Sequence, residues 1–194
     1  MKLSTAVAVA TAIFTTLVFA QTERDLGSHD HGTASLNIAI DENSVFLELD
    51  TPWNNLVGFE HVPRTSEQHT LVDDALTLLN QPNQLFLFDG TDCVLAEIVL
   101  DSSIAEKEGD DHQNHEDEKH HNEKQGSDTE AHASVLVSYS FNCDDVTRLT
   151  AIDVKLLVLW SGFEDLDVQL IGPGGQASVE LNPQQLQIDI SQIQ

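Results

Sequence analysis

Apolar residues occupy every second position in two neighbouring stretches of this chain. The two runs are Ala34, Leu36, Ile38 and Ile40, and then Val45, Leu47 and Leu49. Side chains of a β-strand point alternately to opposite faces, so each run predicts a strand with one buried face. The polar residues 41–43 between the two runs predict the turn of a β-hairpin.

The apolar spacing becomes helical between residues 66 and 79. The residues that recur at intervals of three and four are Leu71, Val72, Ala75, Leu78 and Leu79. Thr65 can cap the first turn, with Gln68 completing a capping box, and Asn80 and Pro82 end the helix. The preceding segment, TPWNNLVGFEHVPRT, contains proline, asparagine and glycine and predicts an irregular loop.

The remaining pattern predicts further strands, at residues 84–88, 92–100, 133–142, 149–159, 166–171, 176–181 and 187–190. Residues 172–175 and 182–183 predict tight turns, and residues 157–162 are compatible with a short helical turn. The fold class that follows is mainly β (α+β). We expect a single antiparallel β-sandwich-like domain with one main helix that covers one face or edge.

Residues 1–20 differ from everything that follows them. Lys2 supplies one positive charge before an uncharged apolar run, and Ala20 ends that run with a small side chain. This pattern predicts a secretory signal peptide over residues 1–20, followed by one β-rich metal-binding domain over residues 21–194. A membrane anchor is the alternative, although the run is short and no basic cluster follows it. No later segment is apolar enough to span a membrane.

The charge of the chain is strongly one-sided. It has 33 acidic and 8 basic residues, for a formal net charge of −25 with histidine neutral. Such a surface repels nucleic acid and anionic lipid and attracts cations, so no nucleic-acid partner is expected. The hydrophobic fraction of 40% is still sufficient for a core, and we expect a folded domain with an acidic surface.

The only two cysteines are Cys93 and Cys143. In an exported chain an even pair predicts a disulfide. Cys93 lies at the start of one predicted strand and Cys143 at the end of another, so antiparallel pairing of these strands places the two cysteines side by side. A pair of thiolate metal ligands is the alternative.

A polar insert at residues 105–131 separates these two strands and predicts a disordered loop, because it has too little apolar surface to offset its ordering entropy. Residues 106–132 hold five of the nine histidines and ten acidic residues. Imidazole with carboxylate suits Zn²⁺ above all, with Ni²⁺ or Cu²⁺ close behind. The expected loop ligands are His112, His115, His120 and His121. The alternative is a solvated linker.

A second set of histidines lies in or beside the predicted domain. His29 and His31 are two residues apart, so in an extended segment both can bind one ion. His61, with Glu60 beside it, and His132 can add the third and fourth ligands that a tetrahedral site needs. The alternatives are a polar N-terminal tail for the first pair and a backbone-bonded loop histidine for His61.

No catalytic motif accompanies these candidate ligands. The chain lacks a Gly-x-Ser-x-Gly elbow, a His-Glu-x-x-His pair, a phosphate loop and a dinucleotide fingerprint. We therefore expect a binding protein and not an enzyme, with a metallohydrolase as the remaining enzymatic alternative. Met1 is the only methionine, so the thioether ligands used by exported Cu(I) carriers are missing.

Four features together resemble a known family: HDHG near residue 30, TPWNNLVGFEH, the cysteine pair, and the His-rich insert between the cysteines. Over nearly the whole mature chain they are similar to the DUF2796 family of ZrgA-like, zinc-regulated periplasmic proteins. The resemblance implies a periplasmic zinc-binding protein that supports delivery to a zinc ABC importer or its binding protein. The family's insert is usually richer in histidine. The alternative is an acidic β interaction module whose loop is only a metal- or pH-sensitive switch.

Overall fold

Strands dominate the computed structural model, which describes residues 31–102, 104 and 133–194. The strands are β1 Thr33–Asp41, β2 Ser44–Pro52, β3 Phe86–Asp89, β4 Cys93–Ser102, β5 Ser134–Cys143, β6 Ala151–Val154, β7 Asp165–Gly172, β8 Gly175–Leu181 and β9 Gln187–Asp189. The helices are α1 Trp53–Val57, α2 Ser66–Leu79, α3 Pro82–Leu85 and α4 Leu156–Leu159, with a 3₁₀ turn at Val146–Arg148.

Six of the strands form one sheet in the order β4-β5-β2-β1-β7-β8. All neighbours in it are antiparallel except β1 and β7, which run parallel. The predicted hairpin is confirmed as β1 and β2, with Ile40 opposite Val45 and a turn in which Glu42 adopts a φ of 51°. Its alternating apolar residues are buried on the inner face of the sheet.

A smaller sheet, in the order β3-β6-β9, lies against that inner face. Two edge-to-face aromatic pairs join the sheets: Phe86 with Tyr139 at 5.5 Å between ring centroids, and Phe88 with Phe141 at 4.8 Å. Offset and edge-to-face arrangements are the ones that aromatic quadrupoles favour. The predicted mainly β, sandwich-like single domain is therefore confirmed.

The main helix, α2, begins and ends where the sequence predicts. The Thr65 side chain accepts a hydrogen bond from the backbone N–H of Gln68 at 3.2 Å, and the Gln68 side chain accepts one from Arg64 N–H at 2.8 Å. The first bond pairs a backbone donor of the first helical turn, as the predicted cap requires. Gln68 bonds Arg64 N–H and not Thr65 N–H, so the predicted capping box is only half formed. At the other end, the buried Tyr139 hydroxyl donates to the Leu79 carbonyl at 2.9 Å, which fixes α2 to β5.

The predicted disulfide is confirmed. Cys93 and Cys143 are directly opposite one another in the antiparallel β4–β5 pair, with their Cα atoms 4.0 Å apart. The bridge therefore joins the first residue of β4 to the last residue of β5, and the opposite ends of these two strands lead into the insert.

Three short helices correct the predicted elements. The segment predicted as an irregular loop contains α1, and the strand predicted at residues 84–88 begins with α3. The strand predicted at residues 149–159 is β6 followed by α4, which overlaps the helical turn anticipated at residues 157–162. Pro82 occupies the first turn of α3, where a missing N–H costs nothing. The apolar run in α4 is too short for its periodicity to separate a helix from a strand.

The predicted signal peptide at residues 1–20 and the predicted disordered insert at residues 105–131 lie outside the described residues. Within the described ranges, no helix combines the length and the apolar character that a membrane span requires.

Candidate metal centre

The histidine motif HDHG enters the fold at the start of β1. Gly32 adopts a φ of +95°, a conformation that residues with a Cβ rarely accept. Its carbonyl accepts hydrogen bonds from the backbone N–H groups of Glu164 at 2.8 Å and Asp165 at 3.1 Å. A Cβ on Gly32 would lie 3.0 Å from the Glu164 side chain. The glycine therefore lets the chain before β1 lie closely against the start of β7.

Asn55, on the short helix α1, fixes the same backbone from the other side. Its side-chain oxygen accepts from Gly32 N–H at 2.8 Å, and its amide donates to the Thr33 carbonyl at 2.9 Å and to the Thr51 hydroxyl at 3.2 Å. Asn55 is only 1% exposed. A buried amide bonded on both its donor and acceptor sides rigidifies what it touches, so these bonds hold α1 against the residues that follow His31.

His31 and Glu60 are brought into direct contact by this arrangement. His31 Nε2 lies 3.3 Å from Glu60 Oε1; the His31 side chain is 57% exposed and the Glu60 side chain 12%. Two ligands of one tetrahedral Zn²⁺, each about 2.0–2.2 Å from the metal, are themselves about 3.4 Å apart. The observed separation thus suits an ion-pair contact and equally suits two ligands of one zinc ion.

His61 follows Glu60 directly but makes different contacts. Its ring stacks on that of Phe59, with centroids 4.9 Å apart, and its Nδ1 lies 3.0 Å from the Val62 carbonyl. A carbonyl can only accept, so Nδ1 is the protonated nitrogen and the lone pair of the neutral ring is on Nε2. In metal-binding histidines, a hydrogen bond from the ring nitrogen that does not bind the metal commonly fixes the tautomer. The predicted alternative, a histidine bonded to the backbone, therefore holds for Nδ1 of His61. Nε2 still has the lone pair that a metal ligand needs.

The structure brings together only part of the predicted ligand set. In residues 31–102, 104 and 133–194, no three histidine, cysteine or acidic side chains converge as a metal cluster. His31 and Glu60 meet, whereas His61 does not complete a group of three. His29, His132, His112, His115, His120 and His121 lie outside the described residues. The neighbour of His132, Ala133, is described, and its carbonyl accepts from Trp53 N–H at the start of α1 at 3.0 Å.

Asn55 and Gly162 are the residues of this site that the sequence did not single out. A Cβ at Gly162 would lie 2.3 Å from the Asn55 carbonyl, so this position needs glycine for the close approach to α1. Asn54 and Asn55 are adjacent in sequence and only one of them is buried. The pair of asparagines among apolar neighbours in WNNLV was the available signal, but it did not tell which of the two turned inward.

Comparison with known proteins decides the family. A family model for the ZrgA family zinc uptake protein matches residues 28–190. The chain belongs to the ZrgA family. The match begins at the HDHG motif and extends past the last strand, so it includes the cysteine pair and the GFEH segment. A role in zinc uptake follows for a ZrgA-family chain, and the expected resemblance is confirmed. A search among curated proteins finds no match.

Proposed function

We propose that this protein is a periplasmic zinc-binding protein that captures Zn²⁺ and supports its delivery to an ABC-type zinc uptake system. The family supports the role in zinc uptake. The predicted signal peptide and the disulfide support an exported protein, because disulfides persist in oxidising compartments. Zinc is the cargo in this proposal, bound for transfer and not for catalysis.

The contact between His31 and Glu60 is the observation that carries the proposal. It joins the two most distinctive motifs, HDHG and GFEH, which are 29 residues apart in the chain. The proposed ligands are His31 and Glu60 with His29 and His61, and His132 as a further candidate next to the fixed Ala133. A mixed imidazole and carboxylate set favours Zn²⁺ over hard ions such as Mg²⁺.

The insert has a separate part in the proposal. Its histidines, His112, His115, His120 and His121, bind zinc weakly and in several arrangements, and its carboxylates attract cations from solution. This segment raises the zinc concentration near the folded site, and the folded site supplies the tighter binding. Because some ligands are in the insert and others in the folded domain, two classes of zinc site with different affinities are expected.

Isothermal titration of the full mature chain with Zn²⁺ tests the assignment. The double variant His29→Ala, His31→Ala is expected to lose the tightest site, and Glu60→Gln to weaken it by about tenfold or more, since even indirect partners of a metal ligand are worth that much. His69→Ala is the matched control, because His69 is an exposed histidine on α2. Equal titration curves for the control and the double variant would contradict the proposed site.

The identity of the metal is tested separately. Protein purified from periplasm without an affinity tag is expected to contain zinc by elemental analysis. Ni²⁺ or Cu²⁺ in its place would retain the site but change its cargo, since both metals also accept imidazole ligands.

A further inference from the structure

The outer face of the six-stranded sheet is an open surface with apolar side chains on it. It is the face opposite α2 and the smaller sheet, and a groove of about 540 Å³ crosses it in the part of the chain that the structure describes. Phe46, Val99 and Ile171 line this groove and are 44%, 56% and 56% exposed. Apolar patches rimmed by polar residues are typical of interaction surfaces.

The strand register explains why the face is grooved. On β5, Ser138 lies opposite Val99 on one side and Glu48 on the other, and Ser140 lies opposite Glu97 and Phe46. Small serine side chains therefore form the floor of a depression between larger neighbours on β4 and β2. The groove has the volume of an ordinary ligand pocket, which runs from about 300 to 1,000 Å³, and it can receive protruding side chains.

The charge of this face has a single sign. The six strands contain no lysine or arginine and eight carboxylates, which alternate with the buried residues and so face outward: Asp41, Glu48, Asp50, Glu97, Asp101, Asp165, Asp167 and Glu180. The basic residues among the described ones are Arg64, Arg148 and Lys155, and none is on this sheet. The face therefore presents a negative field around an apolar groove.

We infer that this outer face docks a partner protein whose contact surface presents apolar side chains flanked by lysine or arginine. A second copy of the chain would oppose eight carboxylates to eight, and like charges across an interface are strongly unfavourable. The chain's own insert is also excluded by sign, with ten acidic residues against three lysines between residues 106 and 130. The proposal adds a partner surface to the zinc proposal and does not depend on the metal site.

Site-specific photo-cross-linking in cells tests the proposal on the full chain. A benzoylphenylalanine introduced at Phe46 is expected to give an adduct with one protein. Mapping of that adduct by mass spectrometry is expected to find lysine or arginine next to the apolar residues at the cross-linked segment. The same cross-linker at Leu71, which is 48% exposed on α2, is the matched control and is expected to give no such adduct.

Charge reversal gives the second readout. Glu48→Lys with Glu97→Lys is expected to lower the Phe46 adduct by about tenfold or more, because the partner's basic residues then face like charge. Asp73→Lys with Asp74→Lys makes the same change of charge on the exposed face of α2 and is expected to leave the adduct unchanged. Equal loss in both double variants would reduce the effect to net charge and overturn the proposal.

Other results of the cross-linking experiment would also contradict the docking proposal. A cross-link between two copies of this chain, a lipid adduct, a mapped segment without basic residues, or no adduct from a chain with its disulfide formed would each overturn the proposal. Zinc titration of Glu48→Lys, Glu97→Lys is expected to match the unaltered chain. Loss of the adduct with intact zinc binding therefore reports on docking alone, and failure of the zinc proposal would appear in the histidine variants instead.

Discussion

A single buried side chain, Asn55, positions the residues that lead from His31 into the fold. Replacing it with alanine leaves Gly32 N–H and the Thr33 carbonyl without their buried partner, and each such group costs about 1–3 kcal/mol. We expect Asn55→Ala to lower the free energy of unfolding by about 2 kcal/mol or more in urea titration, and to weaken the tightest zinc site in the folded protein.

Asn54→Ala is the matched control for this prediction, because Asn54 is the neighbouring asparagine and is only half-buried. Asn55→Asp refines it: the carboxylate can still accept from Gly32 N–H but can no longer donate to Thr33. Near neutral pH its stability is expected at or below that of the alanine variant, because a buried carboxylate then faces the Thr33 carbonyl oxygen without a compensating donor. Equal stability of Asn54→Ala and Asn55→Ala would show that the hydrogen bonds of the Asn55 side chain contribute nothing to the free energy of unfolding.

Tyr139 provides a pH-dependent prediction at a residue that can be observed directly, since it is the only tyrosine. Burial raises the pKa of Tyr139 above its ordinary value of about 10. A raised folded pKa means that the stabilising contribution is complete below the unfolded pKa and is lost as pH rises above about 10. We expect tyrosinate absorbance to appear only together with alkaline unfolding.

Tyr139→Phe separates the hydroxyl from the ring. The variant removes the donor to the Leu79 carbonyl, so we expect it to be about 1 kcal/mol less stable near neutral pH. Above pH of about 10 its stability should fall less steeply than that of the unaltered chain. Tyrosinate absorbance that rises at pH 10 in the folded chain would contradict the burial on which both expectations rest.

The proximity of His31 and Glu60 was accessible from sequence through the hairpin. An antiparallel β1–β2 pair places the end of β2 beside the start of β1, so the residues after β2 return to those before β1. The identity of the contacting pair was harder to obtain. It depends on where α1 ends and on which asparagine turns inward, and adjacent polar residues in a short helix do not specify either.

At the scale of elements, the disulfide between β4 and β5 closes a loop of 50 residues. The chain-entropy model gives such a bridge about 4 kcal/mol of stabilisation. We expect the double variant Cys93→Ala, Cys143→Ala to lose an amount of this order in urea unfolding, and reductant to have the same effect on the unaltered chain but none on the variant. A stability change below about 1 kcal/mol would mean that strand pairing alone orders this edge.

Long elements with a clear period were predictable, and short ones were not. The alternation in β1, β2 and β5 and the Thr65 cap of α2 are long-range or well-defined signals, and the structure confirms them. Helices α1, α3 and α4 have four or five residues each, so one turn of apolar spacing carried little information: α1 was expected as loop, α3 as strand, and α4 only in part as a helical turn. Tertiary packing decided the conformation, because all three bury apolar residues in the shared core.

At the scale of the whole molecule, the carboxylates of the large sheet lie on its outer face, away from the core and away from the described basic residues. Every charged residue on the outer face of the large sheet is acidic, and the three described basic residues lie elsewhere. A field of this sign concentrates divalent cations around the protein and is screened by salt. His31 and Glu60, the described pair proposed to bind zinc, are separate from the carboxylates of this face, so each proposal can be tested without altering the residues of the other.

The last prediction concerns the proposed roles of the insert and the folded domain, weak and tight zinc binding respectively. Deleting residues 107–131 keeps Ala133, whose carbonyl is bonded to Trp53 N–H, and keeps every ligand proposed for the folded site. We expect zinc titration of this variant to show fewer bound ions with the tightest affinity unchanged. The free energy of unfolding should change by less than about 1 kcal/mol, because loop-closure entropy depends only weakly on length.

Two further variants test which property of the insert accounts for the zinc binding proposed for it. A glycine-serine segment of the same length is expected to match the deletion in stoichiometry, which excludes loop length as the cause. Replacing only His112, His115, His120 and His121 with serine keeps the ten acids, so its stoichiometry should fall nearly as far, because carboxylates alone bind zinc less well than mixed imidazole sets. Loss of the tightest site on deletion would instead place that site in the insert, and the contact between His31 and Glu60 would then be an ordinary ion pair at the edge of α1.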